Sequence, residues 1–197
     1  KVYLLSTMVN TTLNKPLNEL HTAELPLALT TDAVQNLLIE QAGKETIELE
    51  LLQSASENQL SIYMLRLVQP VNYDAHSTRG GEMLEGACAI DVSGYAGHAS
   101  SAEELAGYGL VSPRIRIRIT STEGAVLDIR VGDKVGDSSY AAVDESGDVY
   151  LIDNGLLGFV SNARVSYLID QFVNLVNIQS VAGLTVEGMG ESYQLSI

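Results

Sequence analysis

The stretch RIRIRITSTEGAVLDIRV, Arg114 to Val131, decides the fold. In its first half Ile115, Ile117 and Ile119 alternate with Arg114, Arg116 and Arg118, the period-two pattern of a strand with one dry face and one wet face. STEG follows as a turn, and AVLDIRV supplies Leu127, Ile129 and Val131 as the matching apolar set. Antiparallel pairing keeps like faces together, so Asp128 has to lie near Arg116 or Arg118, according to register.

Downstream, SYAAVDESGDVYLID reads as a second hairpin around the polar turn Glu145 to Gly147. Upstream, QLSIYMLRL from Gln59 has the apolar content of a strand that Pro70 ends. Helices are fewer. SAEELAGYG carries a capping box, with Ser101 as N-cap, Glu104 three residues on, and Gly107 placed to terminate the helix. Residues Met83 to Ala87 and Met8 to Lys15 read as further short helices, with the polar run Tyr73 to Gly81 as a connector.

The ends of the chain resemble each other. DVYLIDNGLLGF from Asp148 reads like KVYLLSTMVNTTL from Lys1, with Val2, Tyr3 and Leu4 matching Val149, Tyr150 and Leu151. At the same spacing Leu37, Glu40 and Gly43 fall on Leu184, Glu187 and Gly190, Val34 falls on Val181, and Ile39 falls on Val186. This settles the segment TTDAVQNLLIEQAG, in which Val34, Leu37 and Leu38 have helical spacing. Its counterpart QSVAGLTVEGMG holds Gly183 and Gly188 with the β-branched Val181, Thr185 and Val186, which suit a strand far better than a helix. Alternating runs, ETIELELL and ESYQLSI, follow the two segments. The expectation is one α+β domain over residues 1–197, mostly antiparallel sheet with a few short helices. It is built from a duplicated β-rich unit, residues 1–52 and 148–197, joined by the strands and helices of 53–147.

Composition bounds the function. With 46% hydrophobic residues in 197, the chain can build a sizeable core. Eleven Lys and Arg against 25 Asp and Glu give a net charge of −14, which excludes nucleic acid as an ordinary partner and disfavours anionic membrane surfaces. A single cysteine, Cys88, excludes an internal disulfide and a multi-thiolate metal site. No uninterrupted apolar run approaches the roughly 18–20 residues of a membrane span, and the opening KVYLL reads as a strand without a lead-in, as in a piece of a longer chain.

The run AEELAGYGLVSPRIRIRITSTEGAVLDIRVGDKVGDSSYAAVDESGDVYLIDNGLLGFV resembles the bacterial and archaeal domain-of-unknown-function family 4340. The resemblance rests on Tyr108, Gly109, Leu110, Pro113, Gly124, Val131, Gly132, Asp133, Tyr140 and Val149 to Leu151. Departures are Val111 and Ser112 before Pro113, and an arginine-rich strand more basic than the family's usual Thr/Val pattern. The resemblance implies an extracytoplasmic protein tethered by an upstream transmembrane or lipid anchor. In some genomes such proteins are encoded beside gliding-type ABC transporter components, which implies an envelope accessory role and no particular reaction.

Candidate chemistry is sparse. His21, His76 and His98 with Cys88 show no metal-ligand spacing, and no metal or cofactor is expected. Asp144, Ser146 and Asp148 mimic the start of a calcium loop, but Val149 stands where the sharp-turn glycine belongs and Gly155 where the bidentate acid belongs, so a hairpin turn is the better reading. If the turns bearing Asp133, Asp137, Asp144, Glu145, Asp148 and Asp153 converge, they could hold a hard cation or supply a general acid and base. A Gly-x-Ser-x-Gly elbow and a Walker loop are both missing from the sequence; Ser100 and Ser101 adjoin His98, but Ser101 is committed as a cap.

The least ordinary feature is the arginine row. Arg114, Arg116, Arg118 and Arg130 are four of the eleven cationic residues, a concentration of positive potential suited to an acidic protein partner or a carboxylated ligand. The competing expectation is neutralisation within the sheet by Asp128 and by Glu48 or Glu50. The function expected is a non-enzymatic, extracytoplasmic binding or scaffolding module of a membrane-associated assembly, with protein partners at the envelope and its membrane link through an upstream anchor. An envelope-polymer hydrolase using carboxylates, or a cation- or ligand-sensing domain, are the alternatives.

Overall fold

The computed structural model describes residues 25, 29–57, 60–169, 183–188 and 191–196. Nine strands form one sheet: β1 (Val34–Gln41), β2 (Ile47–Glu57), β3 (Leu60–Gln69), β4 (Tyr73–Ala75), β5 (Gly94–His98), β6 (Ile115–Ser121), β7 (Val126–Val135), β8 (Ser138–Val143) and β9 (Asp148–Asp153). Their spatial order is β4-β3-β2-β1-β6-β7-β8-β9-β5, and every pairing is antiparallel. A separate hairpin, β10 (Gly183–Gly188) with β11 (Glu191–Ser196), stands as its own two-stranded sheet. The α+β reading holds, and the Arg114–Val131 stretch forms the expected hairpin, with Arg118 opposite Asp128 and Ile117 opposite Ile129.

Two meanders meet at β1 and β6, which pair over Ile39↔Ile117 and Leu37↔Ile119. Helix α1 (Ser77–Cys88) lies on the apolar face, between edge strand β4 and edge strand β5 in sequence. It buries Met83, Leu84 and Ala87 in a core that includes Leu37, Ile39, Leu49, Ile117 and Ile129. Gly81 lets it approach closely, since a Cβ there would sit 2.6 Å from the Tyr63 ring. The segment read as a connector, Tyr73 to Gly81, is therefore β4 and the first turn of α1: its polar residues face outward while the glycines hide the contact with β3. A second, smaller core of Ala99, Leu110, Ala142 and Val149 lies on the opposite face, over β8 and β9.

That smaller core is fixed by helix α2 (Ala102–Gly107). Ser101 Oγ accepts from the Glu104 N–H at 3.2 Å, and the Glu104 carboxylate accepts from the Ser100 N–H at 2.6 Å. Gly109, not Gly107, is the terminator: it has φ +71°, its N–H donates to the Ala106 carbonyl and the Leu110 N–H donates to the Leu105 carbonyl. This is a Schellman closure, completed by the apolar contact of Leu105 and Leu110. Gly107 falls inside the last helical turn, where no left-handed residue is required. The Tyr108 carbonyl then accepts from the Asp133 N–H at 2.9 Å, while a Cβ on Gly132 would lie 2.1 Å from that same oxygen. Tyr108 also meets the Tyr140 ring edge-on at 4.9 Å. The Tyr108–Gly109–Leu110 and Val131–Gly132–Asp133 motifs thus clasp each other.

Both edges of the large sheet are blunted. Strand β4 has three residues and is capped by the Ala75↔Ile169 bridge, and β5 carries a bulge between Tyr95 and Gly97. A short helix α3 (Val165–Leu168) follows the 3-10 turn Gly158–Asn162. In the two segments matched by internal similarity, β1–β2 and β10–β11 are both hairpins, but their registers differ by one residue. Ile39 faces Ile47, whereas Val186 faces Tyr193, so the second turn is shorter by one. The counterparts Val2 to Leu4, the helix expected at Met8 to Lys15, and His21 lie outside the described residues.

Placing a methyl at Gly132 has to displace backbone, which is costly in a packed site. Gly132→Ala is expected to lose about 2–4 kcal/mol and roughly 5–15 °C of thermal midpoint, read by calorimetry or circular dichroism. Gly107→Ala, where nothing lies within 4 Å, should change stability by less than about 1 kcal/mol, and toward greater stability.

Candidate functional site

Alternation along β6 and β7 sets Arg116, Arg118, Asp128 and Arg130 on the face away from the main core. Asp128 is shared. Arg116 Nε and Nη2 donate to its two carboxylate oxygens at 2.9 and 2.6 Å, and Arg118 Nη2 donates to Oδ2 at 3.0 Å. The fork-to-fork pairing is therefore with the diagonal arginine, and the directly opposed one makes the single bond, because a guanidinium needs the extra reach to meet both oxygens in plane. The sequence left Arg116 and Arg118 as alternatives, and the structure uses both.

Arg116 also lies 3.9 Å from Glu40 on β1. Glu48 does not take part, because β1 intervenes between β2 and β6; it accepts instead from Asn36 and Gln69 at 2.9 and 2.6 Å. Among the described residues Arg130 donates only to the Asp144 carbonyl, at 2.7 Å, and forms no ion pair with a carboxylate. Arg118 Nε is enclosed without a hydrogen-bond partner among the described residues. Arg114 does not join this group. Its guanidinium turns to the Gly132 carbonyl and to Ser139 Oγ, which donates to Asn154, so it ties β7 to β8. A pocket of about 200 Å³ opens between Arg116, Asp128, Arg130, Asp144 and Glu145.

The acids singled out from the sequence separate into two sets. Asp144, Glu145 and Asp148 belong to the β8–β9 turn, whereas Asp133, Asp137 and Asp153 lie at the other end of those strands, where Ser138 opposes Asp153. Among the described residues no group of three or more His, Cys, Asp or Glu side chains is placed to hold a metal ion. One pairing was illegible in sequence: His98 Nδ1 lies 2.9 Å from Asp148 Oδ1, which also accepts from the Tyr95 hydroxyl at 3.4 Å. Burial first, then the Asp148 charge, raises the Tyr95 phenol above its ordinary pKa. Fifty positions separate His98 from Asp148, and only the β5–β9 register joins them. Cys88 sits at the end of α1, where burial and then Asp32 push its thiol up to about 11. It is a protonated, weakly nucleophilic side chain at neutral pH.

An antiparallel α+β module, one face of its sheet dry and the other carrying ordered arginines, is the class that fold and site define. The family model described as "Domain of unknown function (DUF4340)" matches residues 66–196. The chain belongs to that family, and the clasped Tyr-Gly-Leu and Val-Gly-Asp motifs lie inside the matched stretch. No curated protein and no solved structure matches the chain.

Arg116 most strongly holds the Asp128 carboxyl below its usual range, burial opposes it, and Arg118 adds to the lowering. A lowered carboxylate pKa contributes stability that is complete above the unfolded value of about 3.9 and is lost as pH falls through the folded value. With Arg116 and Arg118 36% and 42% exposed, the contribution is discounted for solvent to about 1–2 kcal/mol. Asp128→Asn should lower stability by that amount at pH 7, with the gap to wild type closing below about pH 4, as read by denaturant titrations across pH. Cys88 should react with a chromogenic disulfide at pH 8 at least about tenfold more slowly than free cysteine, and at the free rate in denaturant.

Proposed function

We propose that this chain is a non-enzymatic binding or scaffolding module of a membrane-associated assembly, working on the extracytoplasmic side of the envelope as an accessory to an ABC-type transporter. The observation that carries this reading is the arginine face. In a chain of net charge −14, three guanidiniums are gathered on one side of β6 and β7, and among the described residues Arg130 is held only by a backbone carbonyl.

Such a surface recognises carboxylates. Asp128 fixes Arg116 and Arg118 in place before a partner arrives, so less side-chain entropy is lost on binding, and Arg130 offers its remaining donors at the pocket rim. Placement at the envelope and beside a transporter rests on the family resemblance. Among the described residues no helix is long and apolar enough to cross a membrane, and the link to the membrane is assigned to an upstream anchor.

Copurification of the full-length anchored protein after mild crosslinking tests the reading. Wild type should recover the products of its neighbouring genes, and Arg118→Ala with Arg130→Ala should reduce that recovery about tenfold, in line with two lost charge-assisted contacts. Equal recovery by a folded double variant, or recovery of no partner by wild type, would overturn it.

A further inference from the structure

The pocket lined by Arg116, Asp128, Arg130, Asp144 and Glu145 holds charges of both signs that do not satisfy one another. Arg116 and Arg130 stand directly opposite across β6 and β7, and like charges so placed repel. Arg116 spends Nε and Nη2 on Asp128, and its Nη1 lies 3.9 Å from Glu40. Arg130 donates through one nitrogen to the Asp144 carbonyl, and among the described residues its other donors meet no carboxylate. Glu145 lines the same pocket and, among the described residues, forms neither a hydrogen bond nor an ion pair.

Asp144 is fixed in place. At φ +54° it sits in the left-handed region, which aspartate tolerates better than most residues. Its N–H donates to the Asp128 carbonyl at 2.9 Å, and its Oδ1 accepts from the Asp128 N–H at 3.3 Å. The turn is thereby pinned to β7, and the second carboxylate oxygen of Asp144 has no partner among the described residues.

We infer that this pocket binds a free α-amino acid, its carboxylate taken by Arg130 with Arg116 beside it, and its ammonium by Glu145 with Asp144. The inference rests on the reading of the arginine face as a surface that recognises carboxylates, and names a ligand for it. A lone carboxylate would relieve the opposed arginines and leave the acids uncompensated, and a lone amine would do the reverse. A ligand with both charges answers both. A guanidinium takes a carboxylate fork to fork, whereas an ammonium is a compact charge that two carboxylates can share. The field of a chain with net charge −14 repels a free anion, but exerts no net pull or push on a molecule whose charges cancel. The volume, about 200 Å³, falls below the roughly 300–1,000 Å³ of sites for drug-sized ligands and suits a molecule of few heavy atoms. Arg118 is outside the lining and remains for a protein partner.

The experiment is a titration of the isotope-labelled chain, followed by its amide resonances at pH 7 and low salt, with melting curves as the check on folding. The probes are L-alanine, propionate and ethylammonium, which carry both charges, the carboxylate alone and the ammonium alone. Alanine is expected to move the amides of residues 128–130 and 143–146 with a Kd of about 1 mM, the strength of a few solvent-exposed charge-assisted contacts. Propionate and ethylammonium should each bind at least about fivefold more weakly. Arg130→Gln should weaken alanine about tenfold. Glu145→Gln should bring alanine down to the level of propionate and leave propionate no weaker, while Arg118→Ala should hold alanine within about twofold of wild type. Should Arg130→Gln fail to fold, Arg130→Lys takes its place; it keeps the charge, loses the fork and should weaken alanine severalfold.

No shift at about 50 mM alanine overturns the inference, as do equal affinities for alanine and propionate, shifts confined to other parts of the chain, or a Glu145→Gln chain that binds alanine as wild type does. If alanine does not bind while Arg118→Ala with Arg130→Ala still reduces partner recovery, only this inference falls. If alanine binds as expected and that recovery is unchanged, the partner reading falls and the ligand site stands.

Discussion

Three isoleucines have to be kept dry while the two arginines between them stay wet, and most of the architecture follows from that demand on β6. Ile115, Ile117 and Ile119 are buried to within a few per cent, each stabilising the fold by about 1.5–3 kcal/mol relative to exposure. A strand at a sheet edge could not dry all three, because its outer neighbour would be water. With β1 on one side and β7 on the other, β6 occupies the centre, and α1 closes the apolar side. The same alternation then leaves the guanidiniums on the side that α2 covers only in part.

Much of this was legible, and for a physical reason. Period-two alternation and turn residues are local signals, so the β6–β7 hairpin, the β8–β9 hairpin and the Ser101 cap could be read directly, whereas the strand at Val34–Gln41, with its helical spacing, could be read only through its likeness to QSVAGLTVEGMG. What escaped was long-range. Nothing near β1 says that it pairs with β6, and hence that Glu40, and not Glu48, approaches Arg116. Gly107 reads as the helix terminator from its place in the sequence, but the requirement for a left-handed residue one step beyond Tyr108 is set by the Leu105–Leu110 contact. His98 and Asp148 meet only through the β5–β9 register. Of the four arginines read as one row, Arg114 precedes the regular strand and turns away to the β7–β8 strands, which alternation alone could not reveal.

The clasp between Tyr108 and Gly132 gives the family motifs a mechanical meaning. Each short motif is weak by itself, yet one supplies a carbonyl and a left-handed glycine while the other supplies the missing side chain and an N–H. Asp128 acts comparably at the surface: one carboxylate orients two guanidiniums, Arg116 and Arg118, that would otherwise be mobile. Both devices spend a single residue to fix the position of several others.

The blunted margins of the large sheet carry a consequence for how the molecule behaves when crowded. A three-residue strand at one side and a kinked one at the other offer little template for an incoming extended chain, so lateral growth into a ribbon or fibril is discouraged at both ends. Nine strands that stack side by side would otherwise be an efficient seed for aggregation. The molecule has sealed the directions in which contact would propagate without limit.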